Sequence, residues 1–127
     1  MMKARDCVLD PDKHGNVEMR GNAEDRSLRK IIRMIDSNLT GSEFFMGGLA
    51  TFEPGVKAPL HDHPDAEEIN VVVEGEGLFI TDQGTQPIKP GDWQFIPKGV
   101  PHSHENTGDT PLTIIWVYSP PTSTIPK

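Results

Sequence analysis

The sequence contains one cysteine, one tyrosine and no long apolar run. The lone thiol, Cys7, cannot form an intrachain disulfide, so this is no disulfide scaffold. Cys7 lies in a polar segment and is expected to be inert. No stretch approaches the ~18 consecutive apolar residues of a membrane-spanning helix. The first residues, "MMKARDCVLDPDKHGN", hold no apolar core of the kind a secretory signal needs. Positive charge is scarce: 12 Lys and Arg stand against 19 Asp and Glu, a formal net charge of −7. That balance argues against nucleic acid as a partner. The expectation is a cytoplasmic protein without a membrane or nucleic-acid role.

Glycine and proline are abundant, with twelve of each in 127 residues. This favours short strands joined by many turns over long helices. The length suits one domain with a single core. Residues 1–22 are polar, carry the turn cluster "DPDKHGN", and are expected to form a mobile or loosely docked N-terminal arm. Residues 23–127 are expected to form the domain, with no repeat and no linker dividing it.

The stretch "SLRKIIRMIDSNLTGS" carries two conflicting patterns. Leu28, Ile31, Ile32 and Ile35 follow helical spacing. Lys30, Ile32 and Met34 also alternate with Ile31, Arg33 and Ile35, as a strand would. Beyond it the strand signals are clearer: "EFFMGGLATF", "EEINVVV", "GLFITD", "WQFIP" and "LTIIWVY", each bounded by turn residues. Short strands at such regular spacing suggest an antiparallel sandwich or barrel. The run "INVVV" is apolar on both faces and should be covered on both, by a second sheet, the arm or another subunit. The tail "PPTSTIPK" has three prolines and is not expected to hold a ladder.

Four of the five histidines fall in two His-x-His pairs, His61/His63 and His102/His104. On an extended chain, residues two apart point to one side, so each pair can aim two imidazoles at one point. Neutral imidazole is a good ligand for divalent transition metals. A carboxylate would strengthen such a site, and Glu67 and Glu68 open the next strand. One His-x-His is weak evidence, because core and surface histidines are common. The second pair, about forty residues on, strengthens it.

Residues 55–75 read "GVKAPLHDHPDAEEINVVVEG" and residues 91–106 read "GDWQFIPKGVPHSHEN". These resemble the two motifs of the cupin superfamily. The first motif is matched at Gly55, His61, His63, Glu68 and Gly75, the second at Gly91, Pro97, Gly99, His102 and Asn106. The spacing after the second histidine is similar to that of the oxalate-oxidase-like germins. The resemblance implies an all-β, double-stranded β-helix (jelly-roll) barrel, in which "IIRMI" is a strand. It also implies a homodimer and a metal held by His61, His63, Glu68 and His102. The gap to Gly75 selects Glu68 over Glu67, and strand alternation then turns Glu68, Asn70 and Val72 inward and Glu67 outward. Pro97 and Pro101 stiffen the loop carrying His102, and Asn106 is expected to bond backbone in the following turn.

Three imidazoles and one carboxylate leave two positions open on a six-coordinate metal. Fe, Mn or Ni is the first expectation, with Zn, Co or Cu also compatible. Such a centre suits oxidase or dioxygenase chemistry on a small oxygen-rich molecule. It equally suits enolate-type isomerase, lyase or decarboxylase chemistry. The alternative is a non-catalytic protein that binds a small molecule or sugar, since the fold serves all of these. His104 is a candidate catalytic acid or base, or a donor behind the ligands. Gln94, Trp93, Phe45, Met46, Trp116 and Tyr118 are further pocket candidates, with packing the default for the aromatics. His14 is expected to be solvated. No helix-turn-helix precedes the motifs, which weighs against a transcriptional regulator. The five arginines are Arg5, Arg20, Arg26, Arg29 and Arg33. Any clamp for an anion must therefore come from the N-terminal region, and an inward-pointing Arg33 would favour a carboxylate substrate.

Overall fold

The structure is a computed structural model, and it describes residues 2–121. The tail expected to avoid a ladder lies mainly in 122–127, outside the described residues. A 3-10 turn at Ala4–Cys7 and a short helix α1 (Pro11–His14) precede nine strands. These are β1 (Asn16–Arg20), β2 (Arg29–Ile35), β3 (Met46–Phe52), β4 (Glu67–Glu74), β5 (Gly77–Thr81), β6 (Gly84–Ile88), β7 (Trp93–Ile96), β8 (His102–Glu105) and β9 (Leu112–Ser119). They form a six-stranded sheet, β1-β2-β3-β9-β4-β7, and a three-stranded sheet, β6-β5-β8. All pairings are antiparallel. This is the expected all-β jelly roll.

The strand reading of "IIRMI" holds over the helical one. Arg29–Ile35 pairs with strands on both sides, β1 and β3. β-Branched isoleucines suit a pleated surface, and tertiary pairing outweighs local periodicity. The segment assigned to an N-terminal arm needs a correction. Residues 16–20 of it form β1, the edge strand, paired through main-chain bonds from Asn16 opposite Arg33 to Arg20 opposite Arg29. Its side chains give little sign of this, because Val17 and Met19 remain exposed.

The core lies between the sheets. It gathers Phe52, Ala58, Val72, Ile88, Leu112 and Ile114, with Trp116 and Tyr118 at one end. Strand alternation sorts the six-stranded sheet into two faces. The outer face carries an apolar row with one residue per strand: Val17, Ile32, Leu49, Ile115, Val71 and Trp93 lie opposite one another in turn. Trp93 is 72% exposed there, and Ile69 and Val73 of β4 are 40% and 49% exposed. Within one chain, then, "INVVV" is covered on its inner face only. Phe45 is also exposed, and Met46 is core; neither of these nor Trp93 lines the central cavity.

Two features of the second motif hold the barrel closed around the site. The Asn106 side-chain amide donates to Phe52 O and Thr110 O, both at 2.8 Å, while its Oδ1 accepts from Gly108 N at 2.9 Å. The expected local turn bond is thus part of a wider tie to the end of β3. Gly99 has φ 73°, open to glycine without strain. There its N–H reaches His63 O at 3.0 Å.

Candidate metal centre

His61, His63, Glu68 and His102 converge, and one ligand atom from each lies within 4.8 Å of the others. Main-chain pairing brings the two motifs together. His61 N donates to His102 O at 3.1 Å and His102 N donates to His61 O at 2.8 Å. Glu68 arrives from β4, on its inner face beside Asn70 and Val72. Glu67 is exposed on the opposite face, so the twin acids separate as the motif spacing requires.

Two of the histidines, His61 and His102, are also turned correctly. His61 Nδ1 lies 2.8 Å from Pro59 O, and His102 Nδ1 lies 2.8 Å from Val100 O. A carbonyl only accepts, so each Nδ1 carries the proton and each Nε2 is left for the cluster. His102 Nε2 sits 2.8 Å from Glu68 Oε1, and His63 Nε2 sits 3.5 Å from the same oxygen. Nitrogen and oxygen ligands about 2.1 Å from one ion would be separated by about 3.0 Å at neighbouring positions and about 4.2 Å at opposite ones. The observed spacings meet that with small adjustments, so these four side chains fit a divalent ion.

Electrostatics agree. Burial pushes the His61 pKa down to about 4, despite the hydrogen bond to Pro59, so His61 is neutral at pH 7 and ready to ligate. For Glu68, burial disfavours the charge, but the hydrogen bond from His102 and its positive charge hold the carboxyl below its usual range. His102 moves the other way: burial lowers its pKa, and the bond to Glu68 more than offsets this.

His61, Glu68 and His102 open onto a cavity of about 70 Å3 inside the barrel. At roughly 10–15 Å3 per water, it has room for a ligand of a few heavy atoms. His104 lines it too, with Nε2 3.1 Å from Gln94 Oε1. Burial drives the His104 pKa down to about 3, so the ring is neutral at pH 7. With Nε2–H given to the Gln94 carbonyl, its Nδ1 is left as an acceptor. Trp116 and Tyr118 also line the cavity, and burial keeps the Tyr118 phenol protonated by raising its pKa well above 10. His14 is exposed and away from the site; its Nδ1 accepts from Asp10 N at 2.8 Å.

Of the five arginines that the sequence offered for an anion clamp, Arg20, Arg29 and Arg33 line the cavity, so Arg33 points inward. The alternation of β1 and β2 was the available signal, but it needed their pairing register to be read. Asn70, on the inner face of β4, donates from Nδ2 to Glu68 Oε2 at 2.8 Å and steadies the carboxylate.

The family model of the cupin domain matches residues 48–118, more than half of the chain. The chain belongs to the cupin superfamily. The oxalate-binding protein of Thermotoga maritima is 42% identical to this cupin over 64 residues, covering 50% of this chain and 53% of that one. Gentisate 1,2-dioxygenase of a Ralstonia species is 36% identical over 72 residues, covering 55% of this chain and 19% of that enzyme. The match to an uncharacterised protein of Methanocaldococcus jannaschii likewise spans 55% of its length, so this cupin corresponds to about half, or less, of these relatives. Among solved structures, a predicted oxalate decarboxylase from Thermotoga maritima superposes with a TM-score of 0.78 at 26% identity, covering 90% of this cupin and 99% of that chain. Among the described residues, no helix is long and apolar enough to cross a membrane.

Proposed function

We propose that this cupin is a metal-dependent enzyme acting on a small oxygen-rich molecule. The observation that carries the proposal is the convergence of His61, His63, Glu68 and His102 at the wall of a small cavity. The bound ion is a divalent transition metal, with Fe, Mn or Ni favoured by three imidazoles and one carboxylate. When bound, it supplies Lewis-acid or redox chemistry at its open positions. The chain's own residues do the rest. His61 and His102 are held in the ligating tautomer by Pro59 O and Val100 O. The buried walls limit water, the neutral phenol of Tyr118 offers a proton for hydrogen bonding, and His104 Nδ1 offers an acceptor. His104 acts as a hydrogen-bond acceptor in this scheme, since burial keeps it uncharged.

A second reading is binding without turnover. It is favoured by the name of the oxalate-binding relative from Thermotoga maritima, 42% identical over its matched segment. Metal analysis of protein purified from its native host, then reconstitution and oxygen-uptake assays on a panel of small acids, separates the two. The enzyme reading expects one metal per chain and turnover with one or more acids. Protein that carries no metal at native expression would sink it.

We further propose a homodimer formed through the outer face of the six-stranded sheet. The support is the exposed apolar row ending at Trp93, with Ile69 and Phe95 beside it. A cytoplasmic location agrees with a single exposed thiol and no disulfide framework.

A further inference from the structure

Asn70 of β4 and Trp116 of β9 are cross-strand partners in the large sheet. Both side chains line the cavity beside the metal-ligand cluster. Residues directly opposite on antiparallel strands hold their Cβ atoms about 4.5–5.5 Å apart, so one small group can touch both. Asn70 is 1% exposed and Trp116 is 7% exposed. Each nonetheless carries a buried polar atom, Asn70 Oδ1 and Trp116 Nε1, with no hydrogen-bond partner among the described residues. Buried polar groups are nearly always bonded, so two orphans side by side call for a specific explanation.

The neighbours fix both groups as they stand. Asn70 Nδ2 donates to Glu68 Oε2 at 2.8 Å and to Ile69 O at 3.1 Å. Both oxygens only accept, so the amide cannot be turned without setting Oδ1 against the carboxylate. Gln94, opposite Asn70 on β7, gives its Oε1 to His104 Nε2 at 3.1 Å and makes no bond to Asn70 Oδ1. The Trp116 indole is a donor only, and its ring packs 5.2 Å from that of Tyr118. One acceptor and one donor are thus left adjacent, beside a side chain that holds a candidate metal ligand. The pair selects by hydrogen-bond sense. A carboxylate or carbonyl oxygen only accepts, so it would suit Trp116 and oppose Asn70 Oδ1. An ammonium only donates, so it would suit Asn70 and oppose the indole N–H. A hydroxyl does both with a single oxygen.

We infer that Asn70 and Trp116 form a hydroxyl-reading subsite, and that the ligand of this cupin is a short hydroxy acid. The hydroxyl donates to Asn70 Oδ1 and accepts from Trp116 Nε1–H. The acid end rests on the metal-centre reading above: Glu68 offsets one charge of a divalent ion, and a ligand carboxylate meets the other. Because Asn70 also bonds Glu68, the hydroxyl stands close to the acid group in the same small molecule. The cavity of about 70 Å3 keeps that molecule short. A ligand without the hydroxyl leaves both buried groups unpaired, which is a strong ground for discrimination.

The test uses the full chain loaded with Zn2+, a compatible and diamagnetic ion. Calorimetry compares glycolate with acetate and β-hydroxypropionate with propionate, pairs that differ only in the hydroxyl. At least one hydroxy acid should bind at least about tenfold more tightly than its counterpart, beyond any preference of free Zn2+ in the same buffer. Trp116→Phe should remove most of that excess. Because Trp116 is buried, the unsubstituted protein supplies a second measurement. It has two tryptophans, so the Trp116 indole N–H signal in a nuclear magnetic resonance spectrum is the one that survives Trp93→Phe. That signal should move with the preferred hydroxy acid and stay in place with its counterpart. Equal binding within both pairs would overturn the inference. So would an indole signal that ignores the hydroxyl, or an excess preference that survives in folded Trp116→Phe. Failure of Zn2+ to bind would instead overturn the metal centre. The subsite would then be judged in the metal-free chain by the same indole signal, where a shift specific to a hydroxy acid upholds it and no shift rejects it.

Discussion

The cavity has two walls of different origin. One is built from the two histidine motifs, where short fixed spacings along loops and strands deliver His61, His63, Glu68 and His102. The other is the inner face of β1 and β2, where Arg20, Arg29 and Arg33 arrive by strand pairing. The first wall is nearly self-contained: its main-chain bridge at His61 and His102 and its Nδ1 contacts lie within the motifs. The second depends on an edge strand that, among the described residues, pairs with β2 alone. The comparison teaches that the candidate metal centre and the arginine-lined wall are carried by separable parts of the fold.

Substitutions should separate them. The largest effect falls on the ligand wall. His61→Ala or His102→Ala should reduce metal content below detection by elemental analysis, whereas R33Q should leave it intact. Metal retained by both histidine variants would show that the ion sits elsewhere. Next come the twin acids. Glu68→Gln should weaken metal affinity by at least about tenfold, on the scale of disturbed metal sites, and Glu67→Gln should not change it. The opposite ranking in a chelator-competition assay would mean that the register of β4 is off by one residue.

Acidity should act on the same wall. His102 has a raised pKa, and its proton must leave before Nε2 can ligate. Metal affinity should therefore rise with pH until His102 is deprotonated in the metal-free protein, then level off. His61, with a pKa of about 4, should add nothing to that profile at neutral pH. A flat affinity between pH 5 and pH 8, measured by competition with a chelator of known pH dependence, would contradict this (the range is about that of histidine titration).

The two faces of the large sheet extend the comparison to stability. Ile114 is fully packed in the core, and Ile114→Ala should cost about 2–5 kcal/mol in denaturant unfolding. Val17→Ala, on the exposed face of β1, should stay within about 0.5 kcal/mol. The smallest effect on folding is expected from Trp93→Glu, which should nonetheless shift the molar mass measured by light scattering from dimer to monomer. A mass that does not change would remove the outer face as the subunit interface.

Much of this was legible before any coordinates. Ten motif positions marked the barrel and four candidate ligands, and the gap from Glu68 to Gly75 picked the acid that the fold turns toward the three histidines. Strand alternation also placed Asn70 and Val72 inward. What was not legible follows from pairing. β1 was read as part of an arm because residues 1–22 are polar and carry a turn cluster, and its place in the sheet comes from main-chain bonds to β2. "IIRMI" fits two periodicities, and only its two neighbours decide between them. Trp93 and Phe45 offered aromatic rings that the fold places on the outside.

The sequence by itself determined the cupin barrel and the convergence of His61, His63, Glu68 and His102 into a cluster that could hold a metal ion, because those residues are positioned by local spacing along loops and strands. Only the tertiary structure decided that three arginines face the same cavity and that an apolar row crosses the outer sheet. Both depend on the register of strands far apart in the chain, where a shift of one residue would exchange the two faces.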